Sequence, residues 1–130
     1  MTSSPIASVK SDLRKVALAR RDALPAAERM AAAETIATRA FPIAIASGAV
    51  VSGFMPLNSE ISPLTLMRKL SDAGARLALP VVAGRGLPLS MRTYAFGDAL
   101  VKGVWGIRVP PPEAPEVGRA SCRERVFRVV

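Results

Sequence analysis

The apolar positions at the start of the chain recur at helical spacing. From Ile6 to Leu24, the residues Val9, Leu13, Val16, Ala17 and Leu24 fall largely on one face. Ser4 and Pro5 ahead of them read as an N-cap and a first helical residue, and Pro25 ends the run. A second helix is predicted over about Ala26 to Ala40, because "AAERMAAAETIATRA" is nearly all good helix formers. The pattern then changes. "AVVSGFM", bounded by Gly48 and Pro56, reads as a strand. "SPLTLMRKLSDAG" reads as a helix capped by Ser62, opened by Pro63 and stopped by Gly74. "ARLALPVV" has little alternation after Arg76 and reads as a strand buried on both faces. "LPLSMRTYAF" is a third, weaker strand. The Pro-rich "GVWGIRVPPPEAPEV" is extended and leads toward a further strand.

A strand, a short helix and a strand make a βαβ unit. The expected fold is therefore α/β: three layers, a mostly parallel sheet with helices on both faces. At 130 residues the chain fits one domain with a core built from Ala, Val, Leu and Ile, since half of it is hydrophobic and only 5% is aromatic.

Charge and composition narrow the chemistry. The net charge is +8 and there is no histidine. A basic balance suits an anionic partner, or reflects only a basic, Arg-rich proteome. Without histidine, chemistry falls to carboxylates, Lys, Arg, hydroxyls or a bound cofactor. The single cysteine, Cys122, excludes a disulfide framework and a structural zinc site, and fits a reducing cytosol. The N-terminus lacks a signal-peptide core, and Pro42, Gly48, Gly53 and Pro56 break up the nearest approach to a membrane span. "AGRGLPL" lacks the strand and helix context of a dinucleotide loop.

Four places could carry a ligand. Lys10 and Arg14 lie one turn apart on one helical face and either cradle a phosphate chain or form an ordinary solvated face. Glu60 is the only acid between Phe41 and Lys69, and it sits in the loop after a predicted strand. In open α/β sheets ligands bind at the carboxyl ends of strands, where a carboxylate can accept from the N–H groups of a heterocycle; a loop acid chosen for solubility is the other reading. Trp105, the only tryptophan, either stacks on a ring ligand or plugs the core. Met55, near Glu60, suits the core or the same pocket.

Taken in order, the segments "KSDLRKVALARRDALPAAER", "VVSGFMPLNSEISPLTLMRKLSDAGARLALPVV" and "LVKGVWGIRVPPPEAPEV" resemble the 5-formyltetrahydrofolate cyclo-ligase family over about Val9 to Val117. They match its K-x-x-x-R helix, its F/Y-x-P-x-x-x-E turn, its G-x-x-x-x-L-P strand and its G-x-x-G-I-x-x-P segment. The resemblance implies that Lys10 and Arg14 contact ATP phosphates, and that Met55, Glu60 and Trp105 bind the folate. It implies an enzyme that uses ATP and magnesium (Mg2+) to close 5-formyltetrahydrofolate to 5,10-methenyltetrahydrofolate, with no enzyme nucleophile and no protein metal ligand identified. It also implies a cytoplasmic protein, monomeric when full length, with no nucleic-acid or membrane partner.

After Val117 the likeness stops. "GRASCRERVFRVV" carries four Arg against one Glu and does not match the family's later strands or its Gly-rich, basic loop. The expected organisation is residues 1–117 as the N-terminal part of a cyclo-ligase domain and 118–130 as an unrelated or frameshifted tail, giving a weakly active or inactive form. Two alternatives stand beside it. One is a non-catalytic basic module binding nucleic acid or another polyanion; its aromatics are not interleaved with its basic runs, which counts against it. The other is a different α/β enzyme, of the sugar-phosphate isomerase or CoA-transferase type.

Overall fold

The computed structural model describes residues 4–120, with side chains described as far as Gly118. Most of the Arg-rich tail, including Cys122, lies outside the described residues. The elements are α1 (Pro5–Ala23), α2 (Ala26–Thr38), β1 (Val50–Ser52), α3 (Leu64–Asp72), β2 (Arg76–Val81), β3 (Leu89–Tyr94), β4 (Val101–Lys102), β5 (Arg108–Val109) and β6 (Glu116–Ala120), with a single 3-10 turn at Val104–Gly106.

The three helices begin and end close to where the capping signals put them. Pro5 opens α1 behind Ser4, although the Ser4 hydroxyl makes no capping bond; its carbonyl accepts from Ala7 and Ser8 instead. Gly74, at φ +104°, supplies the left-handed stop after α3 that a side chain would resist. Pro63 sits at the N-cap of α3 rather than inside it, and the Ser62 hydroxyl accepts from the Leu64 N–H at 3.3 Å. The C-terminus of α2 is capped from outside: the Lys69 ammonium of α3 donates to the carbonyls of Ala37 and Arg39 at 2.8 and 2.9 Å. A cation there meets the negative end of the helix dipole and fastens α2 to α3.

The protein is α/β, as expected, but the mostly parallel, three-layer arrangement is not what forms. The main sheet is mixed, in the order β1-β2-β3-β6. Only β1 and β2 run parallel, joined through α3; β3 is antiparallel to β2, and β6 is antiparallel to β3. The reason is connection length. Residues 82–88 alone join β2 to β3, and a parallel crossover needs about a dozen or more. β3, which reads as weak in the sequence, is an inner strand paired on both sides. The segment expected to be purely extended instead folds into the β4–β5 hairpin around its 3-10 turn, and then returns to the sheet as β6. β6 runs through Val117 and on to Ala120, across the expected domain boundary.

The core forms where α3 lies on the sheet. Met67, Leu77, Leu79 and Tyr94 are buried together, with Val51, Met55, Leu64, Phe96 and Leu100 packed around them. Gly53 permits this approach, since a Cβ there would lie 2.4 Å from the Met67 sulfur. By contrast α1 buries none of its residues, and Ile6, Val9, Leu13 and Val16 on its apolar stripe are each more than half exposed.

Candidate functional site

β1 and β2, being parallel, end at the same edge of the sheet, and β3 begins there. After β1 the chain continues through Phe54, Met55 and Pro56 into a tight turn at Leu57–Glu60. Asn58 takes φ +54° in that turn, a conformation asparagine tolerates better than most residues. The turn is closed twice: the Glu60 N–H donates to the Leu57 carbonyl at 3.2 Å, and the Leu57 N–H donates to Glu60 Oε2 at 2.9 Å. One carboxylate oxygen therefore aims the side chain, and Oε1 makes no hydrogen bond among the described residues.

The β4–β5 hairpin stands opposite. Its turn is pinched by the Gly103 N–H donating to the Ile107 carbonyl at 2.7 Å. Trp105 at its tip has φ +57°, ψ +19° and is 77% exposed. A bulky residue in the left-handed region is rare and costs about 1–3 kcal/mol, and such strain clusters at functional sites.

Between the hairpin and the strand ends is a cavity of about 550 Å3, a size typical of small-molecule sites. Its walls are mostly apolar: Phe54, Met55, Leu79, Pro80, Val81, Val82, Leu89, Val104, Ile107 and Val109, with Glu60 and Arg108 as the charged groups among the described residues and Trp105 as a second aromatic ring beside Phe54. Such a chamber can hold a ring, hydrogen-bond its N–H groups through Glu60 and stack it on an indole.

Met55, Glu60 and Trp105 thus border one cavity. Lys10 and Arg14 do not; they border a separate, open hollow on α1 with Ala7, Ser11 and Leu13. Neither cation has a hydrogen bond or ion pair among the described residues. The link between the two regions is polar. Arg21 Nε donates to the Ser59 hydroxyl at 2.9 Å, and that hydroxyl donates to Asp22 Oδ1. Lys10, Arg14 and Arg21 follow one another along one face of α1, so Lys10 lies roughly 16 Å and Arg14 roughly 10 Å along the helix from the Ser59 contact.

Sequence reasoning missed Arg108, Phe54 and the Arg21–Ser59–Asp22 contact. The first two lie within the family-like segments, Arg108 at a variable position of G-x-x-G-I-x-x-P and Phe54 as the first residue of F/Y-x-P-x-x-x-E, but those patterns do not show that the hairpin and the strand end bring them to one cavity. The contact joins residues 37 and 38 positions apart, which no local pattern signals. No group of three or more His, Cys, Asp or Glu side chains suited to a metal occurs among the described residues. No described helix is long and apolar enough to cross a membrane.

Fold and cavity together define a small α/β protein with a ring-sized chamber at its strand ends. Residues 6–127 match the model of the 5-formyltetrahydrofolate cyclo-ligase family, and the chain belongs to that family. It is 37% identical over 119 residues to a 5-formyltetrahydrofolate cyclo-ligase of Mycolicibacterium smegmatis, covering 86% of this chain and 60% of that relative's length. No solved structure matches it significantly. Family membership favours a folate-enzyme reading over the basic polyanion-binding module.

Proposed function

We propose that this chain carries the folate-binding side, and part of the ATP-binding side, of an enzyme that converts 5-formyltetrahydrofolate to 5,10-methenyltetrahydrofolate with release of ADP and phosphate. The observation that carries this reading is the cavity bordered by Met55, Glu60 and Trp105, in a chain of this family. The pterin ring lies in the chamber. Glu60 Oε1 accepts from its N–H groups, Trp105 covers one face, and Met55 packs on its edge. Lys10 and Arg14 hold the ATP phosphates.

In the reaction, the formyl oxygen on N5 attacks the γ-phosphorus and ADP leaves. N10 adds to the activated carbon and loses its proton, and phosphate departs with the oxygen. No protein nucleophile is needed, in keeping with a chain that has no histidine. The protein positions the two substrates, excludes water and sets positive charge beside the transferring group. Magnesium accompanies the ATP phosphates; the described residues supply no carboxylate cluster for it. Residues 1–117 are read as the N-terminal part of such an enzyme; the reading of 118–130 as an unrelated end stands against a β6 that runs on to Ala120 and a family match that runs on to residue 127.

The test is ATP-dependent formation of the methenyl product, followed by its absorbance, alongside direct binding of 5-formyltetrahydrofolate. The 130 residues alone are expected to bind the folate and turn over slowly or not at all. Fusing residues 1–117 to the C-terminal remainder of the mycobacterial relative is expected to restore turnover. Absence of folate binding by both proteins would overturn the proposal.

A further inference from the structure

The polar contact between α1 and the Glu60 turn has a geometry that suits more than stability. Ser59 is 7% exposed, and its hydroxyl is engaged in both directions, accepting from Arg21 Nε and donating to Asp22. Among the described residues these are the only hydrogen bonds from α1 side chains to the rest of the fold. The helix buries nothing else, so its direction is set at its last turn. A tilt of about 10° at Arg21 would displace Lys10 by roughly 3 Å, given about 16 Å of helix between them. That is a whole hydrogen-bond length. Ser59 is also the residue immediately before Glu60, inside the turn that Glu60 itself closes.

We infer that Arg21, Asp22 and Ser59 form a positioning latch, which fixes the Lys10 and Arg14 stripe relative to the Glu60 turn and so sets the separation of the phosphate donor from the folate. This rests on the ligand assignment proposed above. None of the three touches a ligand in that assignment; they act through the residues that do. The chemistry needs the γ-phosphorus within bonding reach of the formyl oxygen, and an error of 3 Å in one partner forfeits the alignment.

The test uses the full 130-residue chain with Ser59→Ala, which removes the hydroxyl, and Ser59→Thr, which keeps it. Spin labels at Lys15→Cys and Thr65→Cys, in a Cys122→Ser background, report the direction of α1 by their distance distribution. Calorimetric titration with ATP and with 5-formyltetrahydrofolate reports the site. Ser59→Ala is expected to broaden the distance distribution and to weaken both ligands about two- to tenfold, the range set by one ordinary hydrogen bond. Ser59→Thr is expected to restore both. Lys69→Met serves as the control for stability alone, because it loosens the α2 cap without touching the latch; it should leave both affinities unchanged. If Ser59→Ala binds both ligands as tightly as wild type, or Lys69→Met weakens them equally, the latch is refuted while the ligand assignment stands. If wild type binds neither ligand, the assignment fails and the latch falls with it.

Discussion

Replacing Trp105 by asparagine separates a strained functional residue from a structural one. Two terms oppose each other. At 77% exposure, roughly a quarter of the tryptophan surface is buried, on the order of 60 Å2, so its removal forfeits about 1.5 kcal/mol. Its left-handed backbone, at φ +57°, costs an L-residue about 1–2 kcal/mol, and asparagine recovers much of that. The sum is near zero. Trp105→Asn should change unfolding free energy by less than about 1 kcal/mol, or a few degrees in Tm for a chain of this size. A buried tryptophan would cost about 3–5 kcal/mol. Binding should behave differently. Loss of the stacking face removes about 0.5–1.5 kcal/mol beyond area burial, so 5-formyltetrahydrofolate should bind about tenfold more weakly. Urea unfolding and calorimetric titration measure the two quantities on the same preparation. A loss of more than about 2 kcal/mol in stability with unchanged folate affinity would refute the reasoning, because it would make Trp105 a core residue.

Other changes give equally direct expectations. Glu60→Gln retains an oxygen for the Leu57 N–H, so the fold should be unaffected, while folate affinity should drop by about 1–2 kcal/mol in titration. Lys10→Met with Arg14→Met should weaken ATP severalfold and leave folate binding alone; an equal loss for both ligands would argue against separate roles. Lys102 and Arg108 face each other across the β4–β5 pair, and like charges so placed repel; Lys102→Glu should stabilise the protein by about 0.2–1 kcal/mol in urea unfolding.

Much of the local structure is legible in the chain because capping chemistry is local. Pro5, Pro25 and Gly74 mark helix ends that the backbone respects. Sheet polarity is less legible. "ARLALPVV" reads as a parallel-type buried strand and pairs that way with β1, but its other neighbour, β3, arrives through a short connection that forces the antiparallel direction. The apolar stripe of α1 shows how far periodicity reaches: it predicts the helix correctly and does not reveal that nothing described covers its face. At the site, Glu60, Met55 and Trp105 stand out as a lone acid, a strand-end methionine and the only tryptophan, and they meet at one cavity. Lys10 and Arg14 stand out equally, and their distance from that cavity follows from how α1 is hung, which depends on Ser59.

Trp105 is also the only tryptophan in the chain, so its fluorescence reports on the cavity without labelling. Titration with 5-formyltetrahydrofolate tests the central claim that this cavity is a folate site. The account predicts saturable quenching that shifts to higher ligand concentration in Glu60→Gln. Emission that shows no saturable change for the wild type, or identical curves for wild type and Glu60→Gln, would contradict it.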